Sequence, residues 1–153
     1  MRKLVILLLA LLVWTGCNLL DSPQGKEFKD TGCIGDTRAD LMSLLTLKYE
    51  EGDLRVVRTN ATLNCSIKLG GIACDVSVDD DVIHYRVYER DGAVTNCVCQ
   101  VLEMTSAVSG LTPGKEYSFY YSCGGTNYAP ITFVFEKGFV LMTDASTLVP
   151  VWL

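Results

Sequence analysis

The chain has 153 residues, of which 49% are hydrophobic, and a net charge of −5 at pH 7. This length fits a single domain with a packed core of its own. Contacts to phosphate groups need clustered Lys and Arg, so the acidic balance argues against nucleic acid, and we predict no nucleic-acid partner.

The N-terminus has the pattern of an export signal. Arg2 and Lys3 are followed by an unbroken apolar run over residues 4–13. A membrane span needs about 20 apolar residues, so this run is too short to cross a bilayer and fits a removed signal peptide. An ordinary secretory cleavage site has small residues at −3 and −1, whereas here the bulky Trp14 stands three residues before Cys17.

The sequence Trp-Thr-Gly-Cys at residues 14–17 resembles the lipobox of bacterial lipoproteins. Its last three residues match that pattern, and Trp14 replaces the usual Leu. The resemblance implies a signal peptide over residues 1–16 and lipid on Cys17. Asn18, in place of the Asp that retains some lipoproteins in an inner membrane, implies an outer-membrane lipoprotein facing the periplasm or the cell surface. The alternative is a plain signal peptide, with Cys17 as one more disulfide cysteine.

Cysteine counting supports lipidation. Loss of residues 1–16 leaves 11 basic and 18 acidic residues, a net charge of −7, and lipid on Cys17 leaves six of the seven cysteines. An even number in an exported chain indicates three disulfides, for which fifteen pairings exist. The predicted disulfide cysteines are Cys33, Cys65, Cys74, Cys97, Cys99 and Cys123.

In chain order, the polar residues 17–40 predict a lipid-anchored tether, and residues 41–153 predict a β domain. Residues 41–49 fit either a strand or one short helix. About eight short strands, with turn signals every 8–12 residues, favour an all-β sandwich stapled by disulfides. These strands are predicted over residues 54–58, 63–69, 72–78, 82–90, 96–108, 116–123, 129–136 and 139–143, and residues 148–153 would add an edge strand.

Several segments resemble a group of small lipoproteins of Bacteroides-type bacteria. The shared features are an Asn-Cys strand, a Cys-x-Cys strand and a Gly-Leu-x-x-Gly turn, found here at residues 64–65, 96–99 and 110–117. The resemblance covers residues 41–136 and implies an immunoglobulin-like sandwich of about 7–9 antiparallel strands, without an assigned activity. Residues 102–103 depart from the Tyr-Asp of that group, and Cys74 is an additional cysteine.

The Cys97-Val98-Cys99 motif predicts two structural disulfides. On a strand, residues two apart lie on one face with Cα atoms about 6.5–7 Å apart, at or beyond the limit for a bond between them. Each cysteine then bonds another element, and Cys65 is the first candidate partner. A redox or metal site is the alternative, although redox motifs are normally Cys-x-x-Cys and zinc needs four ligands.

Other polar groups favour structural roles. His84 is the only histidine, and no nucleophile or acid accompanies it, so we predict a strand residue without chemistry. The acidic run 79–81, together with Asp75, offers oxygens to calcium, but it lacks regular ligand spacing and fits a solvated turn. We therefore predict neither a metal nor a cofactor.

Aromatic residues supply the candidate binding groups. Alternation along a strand places Tyr117, Phe119 and Tyr121 on the core face and leaves Tyr120 on the other face. Sugars and peptides bind exposed aromatic rings, which offer a large contact area at low entropic cost. The candidate ligand-binding residues are therefore Tyr120 and Tyr128.

With no catalytic constellation, the sequence favours a non-catalytic binding or structural module. The lipid on Cys17 would hold it to the membrane, with a protein or glycan as partner. One alternative is a hydrolase using carboxylates such as Glu103 and Asp75, which would have to face each other across a cleft. The other is a redox or metal protein built on Cys97 and Cys99.

Overall fold

The computed structural model describes residues 24–34, 41–64, 71–90 and 98–151. These ranges form twelve strands and a short 3-10 helix, Ala145–Thr147, and none of their helices is long and apolar enough to cross a membrane. The strands are β1 Gln24–Asp30, β2 Cys33–Ile34, β3 Leu44–Glu50, β4 Asp53–Asn64, β5 Ile72–Asp79, β6 Val82–Glu89, β7 Val98–Ser109, β8 Glu116–Cys123, β9 Thr126–Tyr128, β10 Ile131–Val134, β11 Val140–Asp144 and β12 Pro150–Val151.

The first sheet, called sheet I, has the strand order β1-β7-β4-β3-β11, and β2 pairs with the end of β7. All of its pairs are antiparallel. The long β4–β7 ladder runs from Leu54 opposite Val108 to Asn64 opposite Val98 and forms the centre of this sheet. The segment that fitted either a strand or a helix is strand β3.

The second sheet, sheet II, has the order β12-β9-β8-β6-β5, and β10 also pairs with β8. β12, which carries Pro150, lies at an edge, where a missing backbone N–H is tolerated. Strands β6 and β8 run parallel, which corrects the expectation of purely antiparallel pairing. The physical reason is the crossover: the chain passes through β7 of the other sheet between them, so β8 returns in the direction of β6.

The two sheets pack face to face, and the predicted disulfide-stapled all-β sandwich is confirmed. Side chains alternate along each strand, so one face of each sheet is apolar and buried against the other. Burial of this face is the main stabilising term of the fold. Its largest fully buried side chains are Phe119, Phe135, Leu45, Leu47, Leu54, Ile83 and Met104.

Strands β1 and β2 correct the domain boundary. They lie within residues 17–40, assigned above to the tether, and both pair with β7 in sheet I. The sequence of β1 hides the strand because most of its side chains are exposed, and a bulge with Glu27 at φ 53° interrupts the alternation. A Cβ at Gly25 would lie 2.6 Å from Val76 Cγ2, so glycine allows β1 to approach β5 of the other sheet.

Candidate functional site

The outer face of sheet II carries a group of polar and aromatic side chains. In β6, Ile83, Tyr85 and Val87 are buried in the core, so the intervening His84 and Arg86 point outward and are exposed. Strand β8 pairs with β6 in register, which places its own outward residues beside these two. The outer face is therefore built by the same alternation that builds the core.

Tyr120 is the outward aromatic residue of β8, and 39% of its surface is exposed. It lies opposite His84 in the β6–β8 register. The two rings stack with centroids 5.2 Å apart and an interplanar angle of 30°. This contact holds an exposed aromatic ring in a defined orientation, which lowers the entropic cost of using it for binding.

A concavity of about 280 Å³ lies beside this ring pair. Its walls are residues 84–86 of β6, residues 120–122 of β8, Asn127 and Tyr128 of β9, and Val151 of β12. They are mainly aromatic and apolar, with an amide, a hydroxyl and a guanidinium among them. Small-molecule sites typically have such apolar walls with few polar groups, at about 300–1,000 Å³, so this concavity is suited to one small ring.

Tyr128 is a second aromatic residue that lines the concavity. Its ring stacks on Tyr121 with centroids 5.5 Å apart and an interplanar angle of 17°. It is half-buried, and burial raises the pKa of its hydroxyl. The structure thus brings the two candidate residues, Tyr120 and Tyr128, to one concavity, and their role in binding stays a prediction.

Three polar members of the wall were not foreseen from the sequence. They are Arg86, Ser122 and Asn127, while His84 was noted only as a strand residue. The signal in the sequence was the alternation along β6, which places Arg86 on the face opposite Tyr85 and Val87. Their convergence depends on the strand order β9-β8-β6, which alternation alone does not predict.

The disulfide Cys33–Cys99 joins β2 to β7, with Cα atoms 5.7 Å apart and a sequence separation of 66 residues. It confirms a structural disulfide for these two cysteines. In this bonded form the sulfur of Cys99 is not available as a thiolate ligand for a metal. The partner of Cys99 is Cys33. Cys65 was the first candidate partner for one of Cys97 and Cys99, and a bond between Cys65 and Cys97 would lie outside the described residues.

Cys74 and Cys123 are free thiols, which corrects the prediction of disulfides for both. Each pairs in register with Val87, from β5 and from β8, so a whole strand separates them. Two strand spacings amount to about 9.6 Å, beyond the roughly 7 Å limit for a bridge. Burial raises the pKa of Cys74 to about 11 and also raises that of Cys123, so both are protonated at neutral pH.

The remaining predicted cysteine roles lie outside the described residues. These are the lipidation of Cys17 and the disulfides of Cys65 and Cys97. The signal peptide over residues 1–16 lies outside them as well. All of these stay predictions.

Two buried tyrosines of sheet II differ in how their hydroxyls are satisfied. Tyr85 Oη and Ser106 Oγ are 2.6 Å apart and share a hydrogen bond between the two sheets. Among the described residues, the buried Tyr121 Oη has no nitrogen or oxygen hydrogen-bond partner, and only the weakly polar thiol of Cys123 lies beside it. These two phenols therefore differ: the Tyr85 hydroxyl is paired with a hydroxyl of the other sheet, whereas the Tyr121 hydroxyl has only a weak thiol neighbour.

We expect Tyr85→Phe to lower the free energy of unfolding by about 1–3 kcal/mol, because it leaves the buried Ser106 hydroxyl without a partner. Tyr121→Phe is the matched control. It removes a buried hydroxyl whose polar neighbour is the weak Cys123 thiol, so stability should be unchanged or rise by up to about 1 kcal/mol. Urea unfolding followed by circular dichroism measures both. An equal loss in the two variants would contradict this assignment.

The two carboxylates considered for a hydrolase are not brought together. Asp75 lies on the outer face of sheet II, where its Oδ1 accepts a hydrogen bond of 3.2 Å from Tyr88 Oη. Glu103 lies in sheet I, exposed, and its backbone N–H donates to Thr31 Oγ1. A glycosidase needs two carboxyl groups facing each other within about 10 Å across the bond to be cut. These two point into solvent from different sheets.

The acidic run 79–81 forms the turn between β5 and β6. Asp80 hydrogen-bonds Lys115, which raises the pKa of that lysine, and Asp81 O accepts a 2.8 Å hydrogen bond from Ser118 N. These contacts tie the turn to the start of β8. Across the described ranges, no three His, Cys, Asp or Glu side chains are grouped as metal ligands.

Comparison of the chain with known protein families, with characterised proteins and with solved structures finds no match.

Proposed function

We propose that this chain is a membrane-anchored bacterial lipoprotein whose sandwich is a non-catalytic module that binds saccharide. The observation that carries the proposal is the exposed Tyr120 ring, stacked on His84 and lining a concavity of about 280 Å³. The anchor is supported by the lipobox-like residues 14–17. Its direct test is Cys17→Ser, which should move the protein from the membrane pellet to the soluble fraction.

Saccharide fits the chemistry of the concavity. A pyranose ring has an apolar C–H face and a rim of hydroxyl groups. The Tyr120 ring supplies a flat apolar surface for the C–H face, and Asn127 and Ser122 supply hydrogen-bond donors and acceptors for the hydroxyl groups. The volume suits one sugar residue, which can be part of a longer glycan that continues into solvent.

A peptide fits the same surface less well. Extended peptides usually bind a sheet by adding a strand to an open edge, where backbone groups are unpaired. The concavity lies on a sheet face, where β6 is paired with β5 and β8, and β8 is paired with β6, β9 and β10. Only Val151 of its walls belongs to an edge strand, the two-residue β12, so most contacts must come from side chains.

The test uses the full-length protein, purified in a detergent without a sugar headgroup, on a glycan array. Hits are then titrated by calorimetry. We expect binding, and Tyr120→Ala should weaken it at least about ten-fold because the stacking surface is lost. The matched control is Val134→Ala, since Val134 is 41% exposed on the outer face of the same sheet but outside the concavity. It should bind as the native protein does.

Two outcomes would overturn the proposed function. One is the absence of binding to any saccharide on the array. The other is binding that Tyr120→Ala and Val134→Ala weaken equally, because the ligand would then be held elsewhere. A third outcome is that a peptide binds, that Tyr120→Ala abolishes this binding, and that no saccharide binds. The ligand class would then be protein rather than saccharide.

A further inference from the structure

We propose that the saccharide bound at this concavity carries a carboxylate, which Arg86 binds. This proposal rests on the saccharide-binding function proposed above. The walls contain the two basic side chains Arg86 and His84 and no Asp or Glu. Two other concavities of the described residues, by contrast, are lined by both acidic and basic side chains. In a chain of net charge −5, a pocket without carboxylates is suited to an anionic ligand.

The Arg86 guanidinium is available for a ligand. Among the described residues, no carboxylate oxygen lies within salt-bridge distance of it. Its cross-strand neighbour Asp75 instead accepts a hydrogen bond from Tyr88 Oη. The guanidinium lies over the Tyr88 ring, 5.0 Å from its centroid, and it makes no hydrogen bond to another side chain or carbonyl within the described ranges. Such a fork binds a carboxylate through two parallel hydrogen bonds.

The spacing of Tyr120 and Arg86 fits one acidic sugar. Tyr120 is in register with His84, and Arg86 lies two residues further along β6 on the same face. The Cα atoms of such diagonal neighbours are about 8 Å apart. A carboxylate on a pyranose stacked on Tyr120 is therefore within reach of the long Arg86 side chain once its guanidinium turns from the Tyr88 ring toward Tyr120. The ligand class is a hexuronate or sialate residue of a glycan.

The experiment compares each acid with its own methyl ester, which keeps the sugar and removes the charge. The full-length protein, in the same detergent, is titrated with oligosaccharides containing galacturonate, glucuronate, mannuronate or sialate. We expect at least one acid to bind ten-fold or more tightly than its ester. Arg86→Gln should abolish that preference, whereas Arg90→Gln, an exposed arginine outside the concavity, should keep it.

The outcomes separate this inference from the proposed function. If saccharides bind in a Tyr120-dependent manner but no acid binds more tightly than its ester, the carboxylate assignment is overturned and the binding function stands. If Arg90→Gln and Arg86→Gln reduce the preference equally, the overall charge of the protein causes it, and the assignment is again overturned. If no saccharide binds at all, the proposed function fails together with the inference.

Discussion

Removing the Cys33–Cys99 disulfide should lower the free energy of unfolding by about 4 kcal/mol. The bond closes a loop across 66 residues of sequence, and loop closure of that length restricts the unfolded chain by about this amount. It also joins the short strand β2 to β7, the second strand of sheet I. Thermal and urea unfolding of the Cys33→Ala, Cys99→Ala double variant, compared with the native chain in one Cys17→Ser background, measures the loss.

Cys74→Ala is the matched control, because Cys74 is a partly buried free thiol. This substitution removes only side-chain contacts, so we expect the free energy of unfolding to fall by less than about 1.5 kcal/mol. Peptide mapping checks the assignment: in denaturant without reductant, iodoacetamide should label Cys74 and Cys123, but not Cys33 or Cys99. Labelling of Cys33 under those conditions, or equal destabilisation by the two variants, would refute the stabilising role of this bond.

The face on which a side chain lies was predictable wherever a strand alternates. Alternation assigned Tyr117, Phe119 and Tyr121 to the core and Tyr120 to the surface, and the structure confirms all four. This works because burial of one sheet face is a local requirement that each strand expresses in its own sequence. The sandwich class follows from the same signal, repeated between regularly spaced turns.

Strand β1 was not predictable by that route. The segment Gln24–Asp30 is mostly polar and interrupted by a bulge, so it resembles a tether, yet its backbone pairs with β7, a strand distant in sequence, from Gln24 opposite Ser109 to Asp30 opposite Met104. An edge strand of this kind is held by backbone hydrogen bonds, which leave little trace in side-chain composition. The signal that was present is Gly25, which is required where two sheets approach closely.

Which residues distant in sequence lie close together in the fold could likewise not be predicted from the sequence. Six cysteines allow fifteen pairings, and only the strand order shows that Cys33 reaches Cys99 while Cys74 and Cys123 stand apart. The composition of the candidate site could not be predicted for the same reason. Tyr120 could be singled out as an exposed aromatic, but Arg86 joins it only because β6 and β8 run parallel in register.

The neighbouring residues Phe119 and Tyr120 should respond to the same substitution in opposite ways. Phe119 is fully buried, lies opposite Ile83 and Ile131 in the adjacent strands, and packs on Tyr85 with ring centroids 5.4 Å apart. Phe119→Ala leaves a cavity between the sheets, so we expect a loss of about 3–5 kcal/mol in the free energy of unfolding.

Tyr120→Ala is the control within the same strand, since it removes a ring of similar size from the outer face. Its unfolding free energy should change by less than about 1 kcal/mol, mainly from the lost contact with His84, while saccharide binding is lost. Urea unfolding of both variants, with calorimetric titration of Tyr120→Ala, measures the contrast. A large destabilisation by Tyr120→Ala would mean that this ring serves the fold, and its loss of binding would then no longer locate the ligand. Stability retained with binding lost is the result that assigns the outer face of sheet II to function, because one strand would then carry packing on one side and recognition on the other.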